Sequence, residues 1–209
     1  MEKKLKTLEL FAGSRSFSKI AEEYEIKTYT TDIEPLEKID QVCDIFEFDT
    51  KKAIKELGGS PDVIWASPPC TYFSVASIGH HWNQDNTPKT KEASLGISIV
   101  EKTIDIIREL SPKLYFIENP IGKLRKLPIM DYFENRLSVT YCSYGNITMK
   151  PTDIWTNSHT WTPREMCKAG NRECHHEPAP RGSSKGTYRK IYGQAVPEEL
   201  CREIVKSFL

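Results

Sequence analysis

The chain has 209 residues, and its 29 Lys and Arg side chains balance 29 Asp and Glu side chains, so the formal net charge is zero. One domain is expected at this length, and a neutral chain is not a general polyelectrolyte binder of nucleic acids. The apolar runs are too short to cross a membrane, and the N-terminus lacks a signal-peptide core. We therefore expect a cytoplasmic protein without membrane contact, whose six cysteines stay reduced.

Short apolar runs alternate with amphipathic stretches along the chain. The apolar runs predict β-strands at residues 5–11, 26–32, 41–46, 63–67, 113–119, 138–145 and 153–157. Apolar side chains at helical spacing predict helices at residues 16–24, 50–59, 93–110 and 196–209. This alternation of strands and helices predicts an α/β fold, with a mostly parallel sheet and helices on both faces.

The residues that follow the predicted strands carry most of the chemistry, because ligands bind beyond the carboxyl ends of parallel strands. Gly13 lies in the first such turn, which has too few glycines for the pyrophosphate fingerprint GxGxxG. Asp32 comes 19 residues later, where an acid of this architecture binds a ribose hydroxyl pair. These two residues favour an adenosyl ligand without phosphates, such as S-adenosylmethionine, although Asp32 could also be a plain helix cap.

Cys70 follows the fourth predicted strand, in the stretch SPPCTYFS. Two prolines remove amide donors and stiffen the backbone, so they end the strand and hold the thiol at the edge of the sheet. A thiol fixed in this way suits nucleophilic catalysis, and Glu118 at the end of the next strand suits proton transfer to a ring. The alternative is a buried cysteine with a structural glutamate.

Several segments, in order along the chain, resemble the motifs of the DNA (cytosine-5) methyltransferases. They are LELFAGSRSF, TTDIEP, CDIF, SPPCTYFS, FIENP, CSYGN and IYGQAVPEELCREIVKSF. The resemblance implies a Rossmann-like methyltransferase fold that binds S-adenosylmethionine. The implied cofactor-binding residues are Phe11, Gly13, Asp32, Ile33, Asp44, Ile45 and Pro69.

The resemblance also implies a reaction at carbon 5 of cytosine in DNA. Cys70 would attack carbon 6 of the base, and Glu118 would stabilise the ring at N3 and the 4-amino group. The base would have to leave the helical stack to reach them. Residues 78–93 follow the nucleophile motif, and we interpret them either as a lid over the site or as a solvated loop.

The sequence departs from the family pattern in several places. Thr71 replaces the usual Gln after the nucleophile, and Pro120 replaces the usual Val after the glutamate-asparagine pair. After the Tyr-Gly strand end, the family has Gln and two arginines. Here Lys150 is the sole cation of that segment, and Asp153 stands about where an arginine is expected. We predict that Lys150 is a catalytic residue, and the alternative is a weakly active subunit that needs a protein partner.

The predicted domains are a catalytic and cofactor-binding domain at 1–157, a small recognition insert at 158–189, and a returning segment at 190–209. An insert this short leaves open whether the substrate is DNA, RNA or a free nucleotide. The stretch 178–190 contains no acidic residue, so its cations are predicted to bind the phosphates of DNA. They are Arg181, Lys185, Arg189 and Lys190.

The insert also contains the pattern C-x6-C-H-H. Cys167, Cys174 and His175 are therefore predicted to hold a structural Zn²⁺, with His159 or Cys142 as the fourth ligand. The alternative is a loop fixed by buried cysteines, with exposed histidines.

Overall fold

The computed structural model describes residues 4–75, 78–168, 170–177 and 195–209. The strands are β1 (Lys6–Leu10), β2 (Lys27–Asp32), β3 (Gln41–Val42), β4 (Val63–Ala66), β5 (Leu114–Pro120), β6 (Asn135–Thr140) and β7 (Pro151–Thr156). The helices are α1 (Ser16–Glu23), α2 (Thr50–Leu57), α3 (Ile78–His81), α4 (Lys91–Leu110) and α5 (Glu198–Lys206). Short 3-10 turns lie at Ile45–Glu47, Leu124–Lys126, Pro128–Tyr132 and Tyr141–Tyr144.

The seven strands form one sheet in the order β3-β2-β1-β4-β5-β7-β6. Strands β3, β2, β1, β4 and β5 run parallel to one another, whereas β7 runs antiparallel to both β5 and β6. This confirms the predicted Rossmann-like α/β fold with a mostly parallel sheet. The strand order reverses between β1 and β4, and such a reversal opens a ligand crevice at the carboxyl ends of the two strands.

Strand β4 shows how the sheet divides the core into two layers. Val63 and Trp65 face the layer that contains α1 and α5, whereas Ile64 and Ala66 face the layer that contains α2 and α4. Trp65 stacks on Phe17 of α1 at 5.1 Å between ring centroids. Because both faces of the strand are covered, its side chains are all apolar rather than alternating with polar ones.

Buried or capping carboxylates fix the starts of two helices. Glu9 in β1 accepts hydrogen bonds from the backbone N–H groups of Phe17 and Ser18, in the first turn of α1. Asp49 caps α2 by accepting from Lys52 N, so Asp49 occupies the N-cap position immediately before Thr50. Both contacts satisfy donors that the first helical turn leaves without partners.

Two predicted strands end several residues earlier than the sequence pattern indicated. The third ends at Val42, because Asp44 accepts a hydrogen bond from Phe46 N and starts a 3-10 turn instead. The sixth begins earlier, at Asn135, and ends at Thr140 before another 3-10 turn. Across the described ranges, no helix combines the length and the apolar character that crossing a membrane would require.

Candidate active site

The carboxyl ends of β1 and β2 form a polar corner. Gly13 N donates to Asp32 Oδ2 at 2.8 Å, and Glu34 N donates to Asp32 Oδ1 at 2.9 Å. Gly13 has a φ of +48° in the left-handed region, and the position of a Cβ there would have no neighbour within 4 Å. The corner therefore presents an oriented carboxylate beside an open stretch of backbone.

Apolar side chains flank this corner and face solvent. Ile33 directly follows Asp32 and is 63% exposed, and Phe46 lies two residues after Asp44 and is 45% exposed. Ile45, in contrast, is buried in the core, so only its backbone is available to a ligand. Exposed apolar groups beside oriented carboxylates are the surroundings that a purine ring with a ribose needs.

The nucleophile motif is held as a rigid loop after β4. Pro68 is buried, Pro69 is exposed and Cys70 is half-buried. Asn119 Nδ2 donates to Pro68 O at 2.9 Å, which ties the loop to the end of β5. Phe73 N and Ser74 N both donate to Cys70 O at 3.0 Å, so the thiol sits on backbone that is fixed on both sides.

Two glycines allow the neighbouring segments to approach this loop. A Cβ at Gly122 would lie 2.2 Å from Phe73 O, which is far closer than real Cβ contacts. A Cβ at Gly96 in α4 would lie 3.1 Å from the rings of Tyr72 and Phe73. The Gly122 position needs glycine, because the atom that a Cβ would meet is backbone, whereas the Gly96 position is tightly packed. The two contacts hold the nucleophile loop between α4 and the segment after β5.

Glu118, at the end of β5, is buried between two polar partners. Tyr141 OH donates to Glu118 Oε1 at 2.7 Å, and Lys150 Nζ lies 3.6 Å from the same oxygen. Lys150 Nζ also lies 4.4 Å from the centroid of the Tyr141 ring. The predicted catalytic carboxylate and the predicted catalytic cation are therefore in direct contact.

The charges around Cys70 act in opposite directions. Burial raises the pKa of the Cys70 thiol, the positive charge of Lys150 lowers it, and the negative charge of Glu118 raises it. The structure thus brings Cys70, Glu118 and Lys150 into one electrostatic environment, in which the pKa of Cys70 is raised overall and Lys150 is the charged group that favours the thiolate.

Asp153 is turned away from this environment. It pairs with Asn119 across β5 and β7, so its side chain leaves the sheet on the face opposite to Glu118. It is fully buried, and Arg125 donates to both of its carboxylate oxygens, at 2.8 Å from Nε and 2.5 Å from Nη2. Asp153 therefore forms a structural ion pair and does not stand where an arginine would contact the base.

Residues 78–90 are anchored next to the nucleophile loop. Trp82 is buried against Phe73, with 5.8 Å between ring centroids, and donates from Nε1 to Tyr72 O at 2.7 Å. Lys123 Nζ donates to Asn86 Oδ1 at 2.7 Å and lies 5.3 Å from the centroid of the Trp82 ring. The segment is thus packed on the site and is not a fully solvated loop, while its role as a lid stays a prediction.

A second cluster of side chains lies around the 3-10 turn after β6. The donor atoms of Cys142, Cys167, Cys174 and His176 lie within 4.8 Å of one another. Burial raises the pKa of Cys142 to about 12, whereas hydrogen bonds from His176 lower the pKa of Cys174 to about 6. Cys142 and His159 are the two candidates for the fourth zinc ligand, and Cys142 is the one that lies in this cluster.

The predicted ligand His175 is replaced by its neighbour. His175 Nε2 donates to Asn146 O at 3.0 Å, so this ring is directed away from the thiols. Neighbouring side chains leave the backbone in different directions, and only His176 faces the cluster. His159 lies elsewhere, 3.7 Å from the Glu134 carboxylate.

The predicted phosphate-binding cations, Arg181, Lys185, Arg189 and Lys190, lie outside the described residues. The part of the insert that is described packs on the turn after β6. Arg164 N donates to Tyr144 OH at 2.8 Å, and Cys167 N donates to Thr140 Oγ1 at 2.8 Å. The insert thus begins beside the 3-10 turn that contains Tyr141.

Comparison with known proteins shows what the chain is related to. The family model for C-5 cytosine-specific DNA methylase matches residues 5–138, which is well over half of the chain. The chain belongs to the C-5 cytosine-specific DNA methylase family. It is 29% identical over 191 residues to a "Probable DNA (cytosine-5)-methyltransferase" of Frog virus 3 (isolate Goorha), which covers 90% of this chain and 85% of the relative.

Solved structures share the fold of this chain at low sequence identity. The methyltransferase EhMeth of Entamoeba histolytica has a TM-score of 0.53 and 14% identity, over 78% of this chain and 57% of that chain. An E. coli prophage protein described as a DNA modification methyltransferase has a TM-score of 0.52 and 14% identity, over 73% of this chain and 46% of that chain. The chain thus spans about half the length of these structural neighbours.

The structure of this family member also reveals polar contacts that the sequence did not indicate. Tyr141 lies one residue past β6 and binds a glutamate 23 positions away. Asn119 was part of the recognised Glu-Asn pair, but its bond to the backbone of Pro68 spans 51 positions. Nothing local in the sequence marks either contact, because each joins β5 to a segment that is distant along the chain.

Proposed function

We propose that the chain methylates carbon 5 of cytosine in DNA, with S-adenosylmethionine as the methyl donor. The observation that carries this proposal is the convergence of Cys70, Glu118 and Lys150 at the carboxyl ends of the central strands, beside the Gly13–Asp32 corner. Membership of the C-5 cytosine methylase family supports the reaction class.

The corner after β1 and β2 fits the cofactor. Asp32 is held by two backbone N–H groups and has lone pairs left for ribose hydroxyls. Ile33 and Phe46 offer exposed apolar surface for the adenine, and Asp44 lies between them along the chain. Phe11 and Pro69 belong to the two loops that border the crevice, and the open backbone at Gly13 leaves room for the rest of the molecule. When bound, S-adenosylmethionine supplies an electrophilic methyl group.

In the proposed reaction, Cys70 acts as a nucleophile on carbon 6 of cytosine. As the sulfur–C6 bond forms, electrons of the C5–C6 double bond shift towards C4 and N3, and the ring becomes an enamine. Glu118 stabilises this ring at N3 and the 4-amino group. Carbon 5 would then take the methyl group as the methyl–sulfonium bond of S-adenosylmethionine breaks, with a neutral thioether as the leaving group. Loss of the carbon 5 proton to solvent would restore the C5–C6 double bond, and the sulfur–C6 bond would break to release the Cys70 thiolate.

Lys150 has two tasks in this scheme. Its charge opposes the effect of burial on the pKa of Cys70, and so favours the thiolate that attacks the base. Its contact with Glu118 also balances the negative charge that would otherwise lie buried beside the thiolate. This arrangement supports Lys150 as the replacement for the arginine that the family has near the cytosine.

The described part of the insert lies beside the active site, and we extend the proposal to target recognition by residues 158–189. Arg181, Lys185, Arg189 and Lys190 are then phosphate contacts, which position the duplex without reading its sequence. Salt-sensitive binding with weak selectivity between DNA sequences is the expected result.

The first experiment measures transfer of a labelled methyl group to duplex DNA, RNA and free cytidine nucleotides in parallel. We expect transfer to DNA. Transfer to RNA or to nucleotides without transfer to DNA would identify those molecules as the substrate instead. Cys70→Ser should abolish transfer and leave the dissociation constant of S-adenosylmethionine near that of the wild type. Cys43→Ser, which changes another half-buried thiol, is the matched control and should retain transfer.

A substituted base tests the covalent step directly. A fluorine at carbon 5 cannot leave as a proton does, so the Cys70–C6 bond cannot be released after methyl transfer. Duplex DNA with 5-fluorocytosine should therefore form a complex with the wild type that survives denaturation, and none with Cys70→Ser. Turnover by Cys70→Ser, or the same trapped complex in that variant, would exclude the mechanism.

A further inference from the structure

The Cys/His cluster takes no part in the reaction described above. Cys142 comes from the 3-10 turn after β6, whereas Cys167, Cys174 and His176 come from the segment after β7. All six cysteines of the chain are free thiols in the structure. The cluster therefore joins two distant parts of the chain through side chains that are not covalently linked.

The composition and spacing of the cluster match a closed zinc site. Three sulfurs and one imidazole nitrogen are a common set of ligands for tetrahedral zinc. Ligand bonds of this kind place neighbouring donor atoms about 3.8 Å apart. The four donor atoms lie within 4.8 Å of one another, and Cys167 Sγ is 3.6 Å from His176 Nδ1. Only a small inward movement separates this arrangement from coordination.

We propose that Cys142, Cys167, Cys174 and His176 bind one structural Zn²⁺. Four protein ligands leave no open position on the metal, which is typical of structural rather than catalytic zinc. Asn171 Nδ2 lies 3.8 Å from Cys167 Sγ, and an N–H donor to a metal-bound thiolate is a usual supporting contact.

The metal gives the insert a stability that its own side chains do not provide. The described residues 164–168 and 170–177 contain no helix or strand, and they are held by separate hydrogen bonds, such as Glu177 N to Ile147 O at 2.9 Å. A segment this short cannot build a core, so a bound metal supplies folding energy in its place. Zn²⁺ would fix both ends of the segment to the turn that contains Cys142.

The 3-10 turn that contains Cys142 also lines the candidate active site. Cys142 directly follows Tyr141, whose hydroxyl group donates to Glu118. The metal would thus fix the described insert against the same turn that orients the predicted catalytic carboxylate. The zinc site itself does not depend on the proposed reaction, and the experiments below measure it without any methyl transfer.

The test compares two adjacent histidines. Wild-type protein, purified without added metal or chelator, should contain about one zinc per chain by elemental analysis. His176→Ala should weaken zinc binding by more than about tenfold in a competition with a chromogenic chelator, since even outer-shell changes reach that size. His175→Ala is the matched control, and it should bind zinc as the wild type does.

A second measurement covers variants that fold poorly. Zinc-free wild type titrated with Co²⁺ should give the strong visible absorption of a tetrahedral thiolate site, with an endpoint at one equivalent. Trypsin should cut after Lys168 and Arg172, between the ligands, more slowly in the zinc form than in the zinc-free form. Purified wild type with well under one zinc per chain and no such cobalt spectrum would overturn the proposal, as would equal losses in His175→Ala and His176→Ala.

Discussion

The hydroxyl group of Tyr141 offers a sharp test of how Glu118 is held. Glu118 is 5% exposed, and its Oε1 atom has Tyr141 OH at 2.7 Å and Lys150 Nζ at 3.6 Å. Tyr141→Phe keeps the buried ring and removes only the shorter contact. A hydrogen bond to a charged group contributes about 1.5–3 kcal/mol. If that energy orients Glu118 in the transition state, methyl transfer should slow by about 10- to 150-fold.

The assay is a single-turnover measurement with saturating DNA and S-adenosylmethionine, so that binding does not limit the rate. Tyr144→Phe is the matched control, because Tyr144 is also buried but its hydroxyl group accepts from Arg164 N at 2.8 Å, away from Glu118. We expect the cofactor dissociation constant to stay near wild type in both variants. A rate for Tyr141→Phe within about threefold of wild type, or equal losses in both variants, would refute the positioning role.

Two further predictions concern buried charges. Arg125→Ala leaves the fully buried Asp153 carboxylate without its cation, so urea unfolding should show a loss of about 3–5 kcal/mol. The double variant Arg125→Met/Asp153→Leu should recover most of the lost free energy of unfolding. If Arg125→Ala alone stays within about 1 kcal/mol of the wild type, this account is contradicted. Burial raises the pKa of Glu9 from 4.5 to about 7. The folded state therefore holds this proton more tightly, and the resulting stability is complete below about pH 4.5 and disappears as the pH rises through about 7. From about pH 4.5 to 8, the free energy of unfolding of the wild type should fall by about 3 kcal/mol more than that of Glu9→Gln, and parallel profiles would contradict the shift.

The pattern of strands and helices was predictable because it is local. Strand β4 is a run of buried residues bounded by Asp62 and Ser67, and its neighbours in the sheet follow from the same signal. The rule that ligands bind at the carboxyl ends of parallel strands then placed Gly13, Asp32 and Cys70 at one edge of the sheet. Asp44 was misread as part of a strand, because its side chain competes with the ladder by accepting from Phe46 N.

The direction of individual side chains was beyond the sequence. Asp153 and Ile154 are neighbours in β7 and lie on opposite faces of the sheet. Asp153 binds Arg125 on one face, whereas Ile154 packs in the core on the other face. Which residue takes which face depends on the register between β5 and β7, and a shift of one residue would exchange them. The same limit explains why the sequence favoured His175 as a metal ligand, where the structure directs His176 to the thiols.

The sequence by itself determined the class of fold, the order of the motifs and the candidates for the reactive groups, because periodicity and strand-end residues are properties of short segments. Only the tertiary structure decided which partners those groups meet. Cys142 joins Cys167 and Cys174, Tyr141 joins Glu118, and Asp153 joins Arg125 through contacts between residues that are 23 to 32 positions apart. Such contacts form only when the strands pair in one register and the later segments pack on the sheet. No local sequence pattern encodes that geometry.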